Sequence, residues 1–172
     1  TGADGVMVPI VSSVEQAKAV LEAAKYWPDG TRGVALGLAH ERFAMRTEPL
    51  LPRFAEQNAR TAIILQVEDP RGAAAADEIA AMPGVDMLWL GHNDLSVALG
   101  EPGAFDHPDF VQAEQATIAA AKKHGKSAGR LAADARQAAQ FAKMGYDFVS
   151  IAGDVWLLQQ AFAAGVETIR RG

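Results

Sequence analysis

Two carboxylates stand at the ends of apolar runs. Glu68 closes the run Ile63-Ile64-Leu65-Gln66-Val67, and Asp94 follows Met87-Leu88-Trp89-Leu90 after a Gly-His-Asn turn. In parallel α/β folds the C-terminal ends of the strands are where ligands bind. A carboxylate held there costs stability unless something compensates it, and two aimed at one point repel each other. A divalent cation relieves both problems. The chain has no Cys, and only His92 lies near a comparable strand end. The donors are therefore oxygens, which predicts a hard octahedral ion, Mg2+ or Mn2+, with open positions for water and substrate. Acidic residues also favour helix N-termini. Glu68 capping the next helix and Asp94 capping a turn is the competing reading, and spacing does not decide between the two.

Gln66 shares the side-chain parity of Glu68, so both point to one face of the sheet. A polar pair on a buried strand needs polar partners, which a bound ligand or neighbouring backbone could supply. Asp69 points the other way and is expected to cap a helix. His92 and Asn93 could donate to an anionic ligand, and a turn-shaping role suits His92 equally. His40 and Glu41 fall in an irregular segment, as solvated loop residues or as part of a lid. His107 reads as a helix start and His124 as a helix end. Schiff-base chemistry needs a Lys at a strand's C-terminal end. Lys18, Lys25, Lys122, Lys123 and Lys143 fall on expected helices, and Lys126 falls at a strand's beginning. No G-x-S-x-G, G-x-G-x-x-G or phosphate-loop motif occurs.

The elements that must position these residues alternate along the chain. Strands are expected at 5–9, 62–68, 86–91, 126–129 and 147–151, and helices at 13–26, 72–81, 108–124, 133–144 and 154–170. Ser12 and Ser13 are candidate caps for the first helix. Residues 43–60 are expected to hold a short helix, and the segment around Gly100, Pro102 and Gly103 a loop. One phrase recurs before three of the strands: Gly2-Ala3-Asp4, Gly84-Val85-Asp86 and Gly145-Tyr146-Asp147. Gly just past a helix end relieves the left-handed turn there. A helix precedes the second and third phrases but not the first. With Thr1 leading almost directly into a strand, this predicts further chain upstream, removal of an initiator Met before Thr1 being the alternative. Five βα units predict a parallel sheet covered by helices. A doubly wound sheet would be complete in 172 residues, whereas a (β/α)8 barrel typically takes about 250.

Composition narrows the partners. Lys+Arg number 16 against 21 Asp+Glu, a net charge of −5, which argues against nucleic-acid binding. No apolar run approaches the roughly 20 residues of a membrane span, and no signal-peptide pattern opens the chain. The absence of Cys excludes disulfides and thiolate chemistry and fits a cytoplasmic protein.

Several motifs, in order, resemble one family. Gln66-Val67-Glu68 and Gly91-His92-Asn93-Asp94-Leu95-Ser96 look like the two metal-binding signatures of the HpcH/HpaI class II aldolases, relatives of the citrate lyase β-subunit. Val8-Pro9-Ile10-Val11 resembles that family's V-P-M-V strand end. The segment from Tyr26 to Gly33 resembles its Y-P-P-x-G-x-R-G turn, with Trp27 in place of the first Pro. Gly125-Lys126 through Gly129, and Gly153-Asp154 through Leu158, match its last two strand regions. The resemblance implies a (β/α)8 TIM barrel of which residues 1–172 form one domain holding the C-terminal five βα units. It implies Glu68 and Asp94 as the ligands of a Mg2+ or Mn2+ ion, with Co2+ admissible. It gives Gln66 to the 2-oxo acid substrate, and the backbone around Asn93 to the substrate carboxylate.

The implied reaction is reversible aldol cleavage of 4-hydroxy-2-oxo acids to pyruvate, or a similar 2-oxo acid, and an aldehyde. It would run through an enolate whose charge the cation stabilises. The family's general base is a His in an early D-G-E-H-like motif, and an Arg after its third strand polarises the oxyanion. Neither motif occurs here, so no catalytic proton-transfer residue is assigned. Family members form homo-oligomers through their C-terminal helices, which Val155, Leu158, Phe162, Val166 and Ile169 would suit. A CoA-ester lyase of the citrate-lyase type and a non-catalytic barrel fragment are the alternatives.

Overall fold

In the computed structural model, which describes residues 1–172, the three Gly-x-Asp phrases reverse the chain. Gly2, Gly84 and Gly145 have φ of 88°, 89° and 112°, a region Gly enters without the Cβ clash that bars other residues. The aspartates of the second and third phrases then tie neighbouring strands together at their base. Asp86 Oδ2 accepts from the Ile63 amide at 2.7 Å, and Asp147 Oδ2 from the Ala128 amide at 3.2 Å.

The elements follow in order: β1 (Gly5–Val8), α1 (Val14–Ala24), α2 (Leu50–Arg60), β2 (Ala62–Val67), α3 (Pro70–Ala80), β3 (Met87–Leu90), α4 (His92–Ala98), α5 (Pro108–Lys123), β4 (Ser127–Ala132), α6 (Ala135–Met144), β5 (Phe148–Ile151) and α7 (Asp154–Arg171), with a 3-10 turn over Ala39–Glu41. The strands form one parallel sheet in the order β1-β2-β3-β4-β5. A doubly wound sheet reverses its strand order at a switch point, and this sheet does not. The architecture is a five-stranded parallel half-barrel.

Burial alternates as that geometry requires. Ile63, Leu65, Val67, Leu88, Leu90, Ala128 and Ala132 turn toward the helices and join Ile79, Phe110, Ile118 and Ala121 in one core. Each large aliphatic side chain buried there contributes about 1.5–3 kcal/mol. The opposite, concave face is a different row. The register sets Gln66 beside Trp89, Trp89 beside Gly129, and Gly129 beside Phe148. Gly129 makes room for this row: a Cβ there would meet the Trp89 ring at 2.5 Å and the Met87 sulfur at 2.8 Å.

Two buried ion pairs lie outside the concave face. Arg130 faces the helices, pairs with Glu114, and sits 4.2 Å from the Phe141 ring centre. Tyr146 donates its hydroxyl to the same Glu114 at 2.8 Å. Burial, and then the adjoining Glu114 charge, push the Tyr146 phenol well above its ordinary range. Arg53 pairs with Glu41, whose side chain is fully buried. Glu41 is therefore not a solvated loop residue; its carboxylate also accepts the Gly37 amide at 2.6 Å. His40 lies beside the Tyr26 hydroxyl at 3.5 Å.

The short helix expected within 43–60 is present as α2, starting at Leu50 after Pro49. Other departures from expectation have local causes. β4 runs to Ala132 rather than ending at 129, because Glu114 and Phe141 let Arg130 enter the core. The loop expected around Gly100 is preceded by the short helix α4, which buries Leu95 and Ser96. Lys25 lies just past α1, buried, with its ammonium donating to the carbonyls of Asn58 and Thr61. Ser13, Asp69 and His107 cap their helices as expected. His124 ends α5 and meets Asp77 at 3.0 Å. Helix α7 buries no residue at all, and its seven large apolar side chains are 45–80% exposed. No helix is long and apolar enough to cross a membrane.

Candidate metal centre

The centre is built from the tips of β1, β2 and β3. Glu68 follows β2 directly and, by parity with Gln66, turns to the concave face. It is buried, at 6% exposure, and does not cap α3. That role belongs to Asp69, whose Oδ1 accepts the Gly72 amide at 2.6 Å. Burial works against the charge of Asp69, but the Ser12 hydroxyl and the Gly72 amide outweigh it and hold its carboxyl below the usual range.

Each oxygen of Glu68 has its own neighbours. Oε1 accepts the Ile10 amide at 2.7 Å. Oε2 leans over Gly91 and lies 3.4 Å from the Gln66 amide nitrogen. Gly91 is tied to β2 through its own amide, which donates to the Val67 carbonyl at 3.0 Å. A Cβ at Gly91 would overlap Oε2 and come within 2.6 Å of the Glu68 Cβ. The absent side chain is the clearance the carboxylate occupies.

Asp94 sits exposed in the first turn of α4 and does not serve as its N-cap; Gly91 holds that position without a side-chain bond. Burial raises the Glu68 pKa above the ordinary carboxylate value; the Ile10 amide opposes this, and the charges of Asp94 and Asp69 add to it. Glu68 Oε2 faces Gly91 and the start of α4, the helix that carries Asp94. Asn93 is exposed beside Asp94, its carbonyl accepting the Ser96 hydroxyl at 2.7 Å. The amides of the first helical turn have no intrahelical acceptor. His92 is half-buried with its ring edge-on to Phe105 at 5.2 Å. Burial first, and Arg130 next, lower its pKa.

The carboxylate chemistry of Glu68 and Asp94 suits a hard divalent cation, although no cluster of three or more His, Cys, Asp or Glu side chains gathers there. Glu68 turns to a concave face floored by Trp89 and Phe148. Those two rings meet edge-on at 6.1 Å. Gly91 and Ile10 both fall inside motifs that carry the family resemblance, but neither motif reveals what the residue does. Gly91 matters through a contact with a residue 23 positions away, and Ile10 through its backbone. Ile10 has φ 54°, a left-handed conformation that costs an L-residue roughly 1–2 kcal/mol and is an outlier for a β-branched one.

The crowding at Gly91 sets up a direct test. In Gly91→Ala the new methyl displaces the Glu68 carboxylate, and because it also meets the Glu68 Cβ, a swing of the chain end does not relieve it. Mn2+ affinity should fall by at least tenfold while overpacking costs about 1–3 kcal/mol. Titration calorimetry and thermal melting separate the two effects, and unchanged Mn2+ affinity would remove Glu68 from the site.

Comparison with known proteins covers nearly the whole chain. A family model described as HpcH/HpaI aldolase/citrate lyase matches residues 1–161. A hydroxypyruvate/pyruvate aldolase of Delftia acidovorans is 35% identical over 169 residues, covering 98% of this chain and 62% of that protein. A 5-keto-4-deoxy-D-glucarate aldolase of Klebsiella pneumoniae is 36% identical over 155 residues, covering 90% of this chain and 59% of that protein. Among solved structures, an HpcH/HpaI aldolase from Desulfitobacterium hafniense superposes with a TM-score of 0.88 at 32% identity, over 98% of this chain and 64% of that one. The chain spans about three fifths of the length of these relatives.

Proposed function

The chain belongs to the HpcH/HpaI aldolase/citrate lyase family, and from that premise we propose that it forms the cation-holding part of a carbon–carbon lyase. The reaction is reversible aldol cleavage of a 4-hydroxy-2-oxo acid to pyruvate, or a similar 2-oxo acid, and an aldehyde. One observation carries the reading: a buried carboxylate, Glu68, on the concave face of the half-barrel, its Oε2 facing the start of the helix that carries Asp94. The relatives named as aldolases support it over a CoA-ester lyase.

Glu68 and Asp94 would hold Mg2+ or Mn2+. When bound, the ion supplies Lewis acidity toward a carbonyl oxygen. The chain's own residues do the rest of the positioning. Gln66 projects from the same face and orients the oxo acid. The backbone amides around Asn93, free of intrahelical acceptors, receive the substrate carboxylate. Trp89 and Phe148 form an apolar floor beneath it. Removal of the C3 proton is assigned to no residue of these 172. We place that step on further barrel units, with residues 1–172 as one domain and the five strands as part of a (β/α)8 barrel. The exposed apolar side chains of α7 fit packing against a second copy, giving a homo-oligomer.

The test is pyruvate binding followed by calorimetry with Mn2+ and with EDTA. Pyruvate should bind only when the ion is present. Binding that survives EDTA would overturn the reading.

A further inference from the structure

We infer that Ile10 is a positioning residue for the carboxylate pair, its left-handed backbone aiming a main-chain N–H at one oxygen of Glu68 so that the other is presented to a cation. The inference rests on Glu68 being a cation ligand, and it concerns a residue that is not itself a ligand.

The cause begins with Pro9. Proline has no N–H and cannot continue the ladder between β1 and β2. The ladder resumes at Val11, whose amide donates to the Gln66 carbonyl at 3.1 Å. Ile10 lies between, excused from the sheet. Its φ of 54° turns its amide out of the ladder and onto Glu68 Oε1 at 2.7 Å. Its side chain takes no part in the core and is 64% exposed. An isoleucine held in a left-handed conformation with its side chain exposed has no packing reason to be there. Such conformations persist where the surroundings over-determine them, and they cluster at functional sites.

The surroundings here are specific. Ser12 Oγ donates to Asp69 at the tip of β2, and the Val11 carbonyl presses on Gly72, where a Cβ would meet it at 2.7 Å. Three consecutive residues, Ile10, Val11 and Ser12, are therefore stitched to three positions of the β2 tip: Glu68, Gln66 and Asp69. With Oε1 held by the amide, Oε2 faces Gly91 and the start of α4, the helix that carries Asp94. Supporting hydrogen bonds of this kind typically carry about 10–100-fold in metal affinity.

The experiment removes only the donor. In the 172-residue chain the Ile10 amide is replaced by an ester, using the α-hydroxy acid analogue of isoleucine, and Mn2+ binding is measured by calorimetry beside Ile10→Gly and Glu68→Gln. The ester should weaken Mn2+ by about 10–100-fold. Ile10→Gly, which keeps both the N–H and the left-handed backbone, should stay within threefold of the parent. Parent-like affinity in the ester, or an equal loss in Ile10→Gly, overturns the inference. If the parent and Glu68→Gln take up Mn2+ equally, the ligand reading itself fails and the inference with it. A melting curve of the metal-free ester confirms that it is folded. The downfield amide resonance of Ile10, expected in the parent and shifted in Glu68→Ala, reports the hydrogen bond without any metal; its absence from the parent also overturns the inference.

Discussion

Glu68→Gln should abolish Mn2+ binding and, in the metal-free protein at neutral pH, raise the melting temperature. The two effects share a cause. Glu68 is buried, and burial together with the charges of Asp94 and Asp69 raises its pKa. A carboxyl whose folded pKa lies above its unfolded value favours the folded state at low pH, and that contribution is lost as pH rises through the folded value. The metal-free parent at pH 7 therefore carries a penalty that the neutral amide lacks, while Gln keeps an oxygen for the Ile10 amide. The gap in melting temperature should close below the unfolded carboxyl pKa of about 4.3. Loss of the ligand should weaken Mn2+ beyond the roughly 100-fold seen at the upper end for supporting residues. Asp94→Asn should match that loss without the stability gain, because Asp94 is exposed. Calorimetry with Mn2+ and melts at pH 4 and pH 7 decide it. Unweakened binding in both variants would refute the pair.

The second large effect lies away from the site. Arg130 and Glu114 are 4% and 3% exposed, and Arg130 is ringed by Phe105, Phe110 and Phe141. Its Nε has no hydrogen-bond partner, so Glu114 is the group that compensates its charge. Glu114→Ala leaves a buried guanidinium without a counter-charge, which costs about 3–5 kcal/mol. That is a large part of the roughly 5–15 kcal/mol by which a domain is stable. Tyr146→Phe removes one hydrogen bond to a charged acceptor and should cost about 1.5–3 kcal/mol. Replacing Arg130 and Glu114 together by Met and Leu should recover most of the loss, since apolar pairs of similar volume substitute well for buried ions. Urea midpoints measure all three. A Glu114→Ala midpoint equal to the parent's would show that the pair contributes nothing.

The sequence made some of this legible and hid the rest for physical reasons. Glu68 and Gln66 were readable because a strand's period of two fixes their common face from order alone. The Gly-x-Asp phrases were readable because left-handed turns select Gly whatever the tertiary context. Periodicity alone did not give strand order, and the resemblance to a barrel family was what favoured one. Half-barrel and doubly wound sheets use the same βα units, and only the spatial sequence of strands separates them. Glu41 reads as solvated because its partner Arg53, in contact at 3.0 Å, lies twelve residues away in the chain. Arg130 looked like the end of a strand because a charge in an apolar run has meaning only beside its counter-ion. Gly91 and Ile10 carry the least visible information of all: one acts through a missing atom and the other through a torsion angle.

The indole of Trp89 gives the centre an intrinsic optical probe. It lies on the concave floor at 8% exposure, while Trp27 and Trp156 are 62% and 53% exposed. Its emission should be the blue component of the spectrum, resolved from the two solvated indoles. A paramagnetic ion settling between Glu68 and Asp94 would quench that component selectively, so occupancy can be followed in the unlabelled protein by light alone.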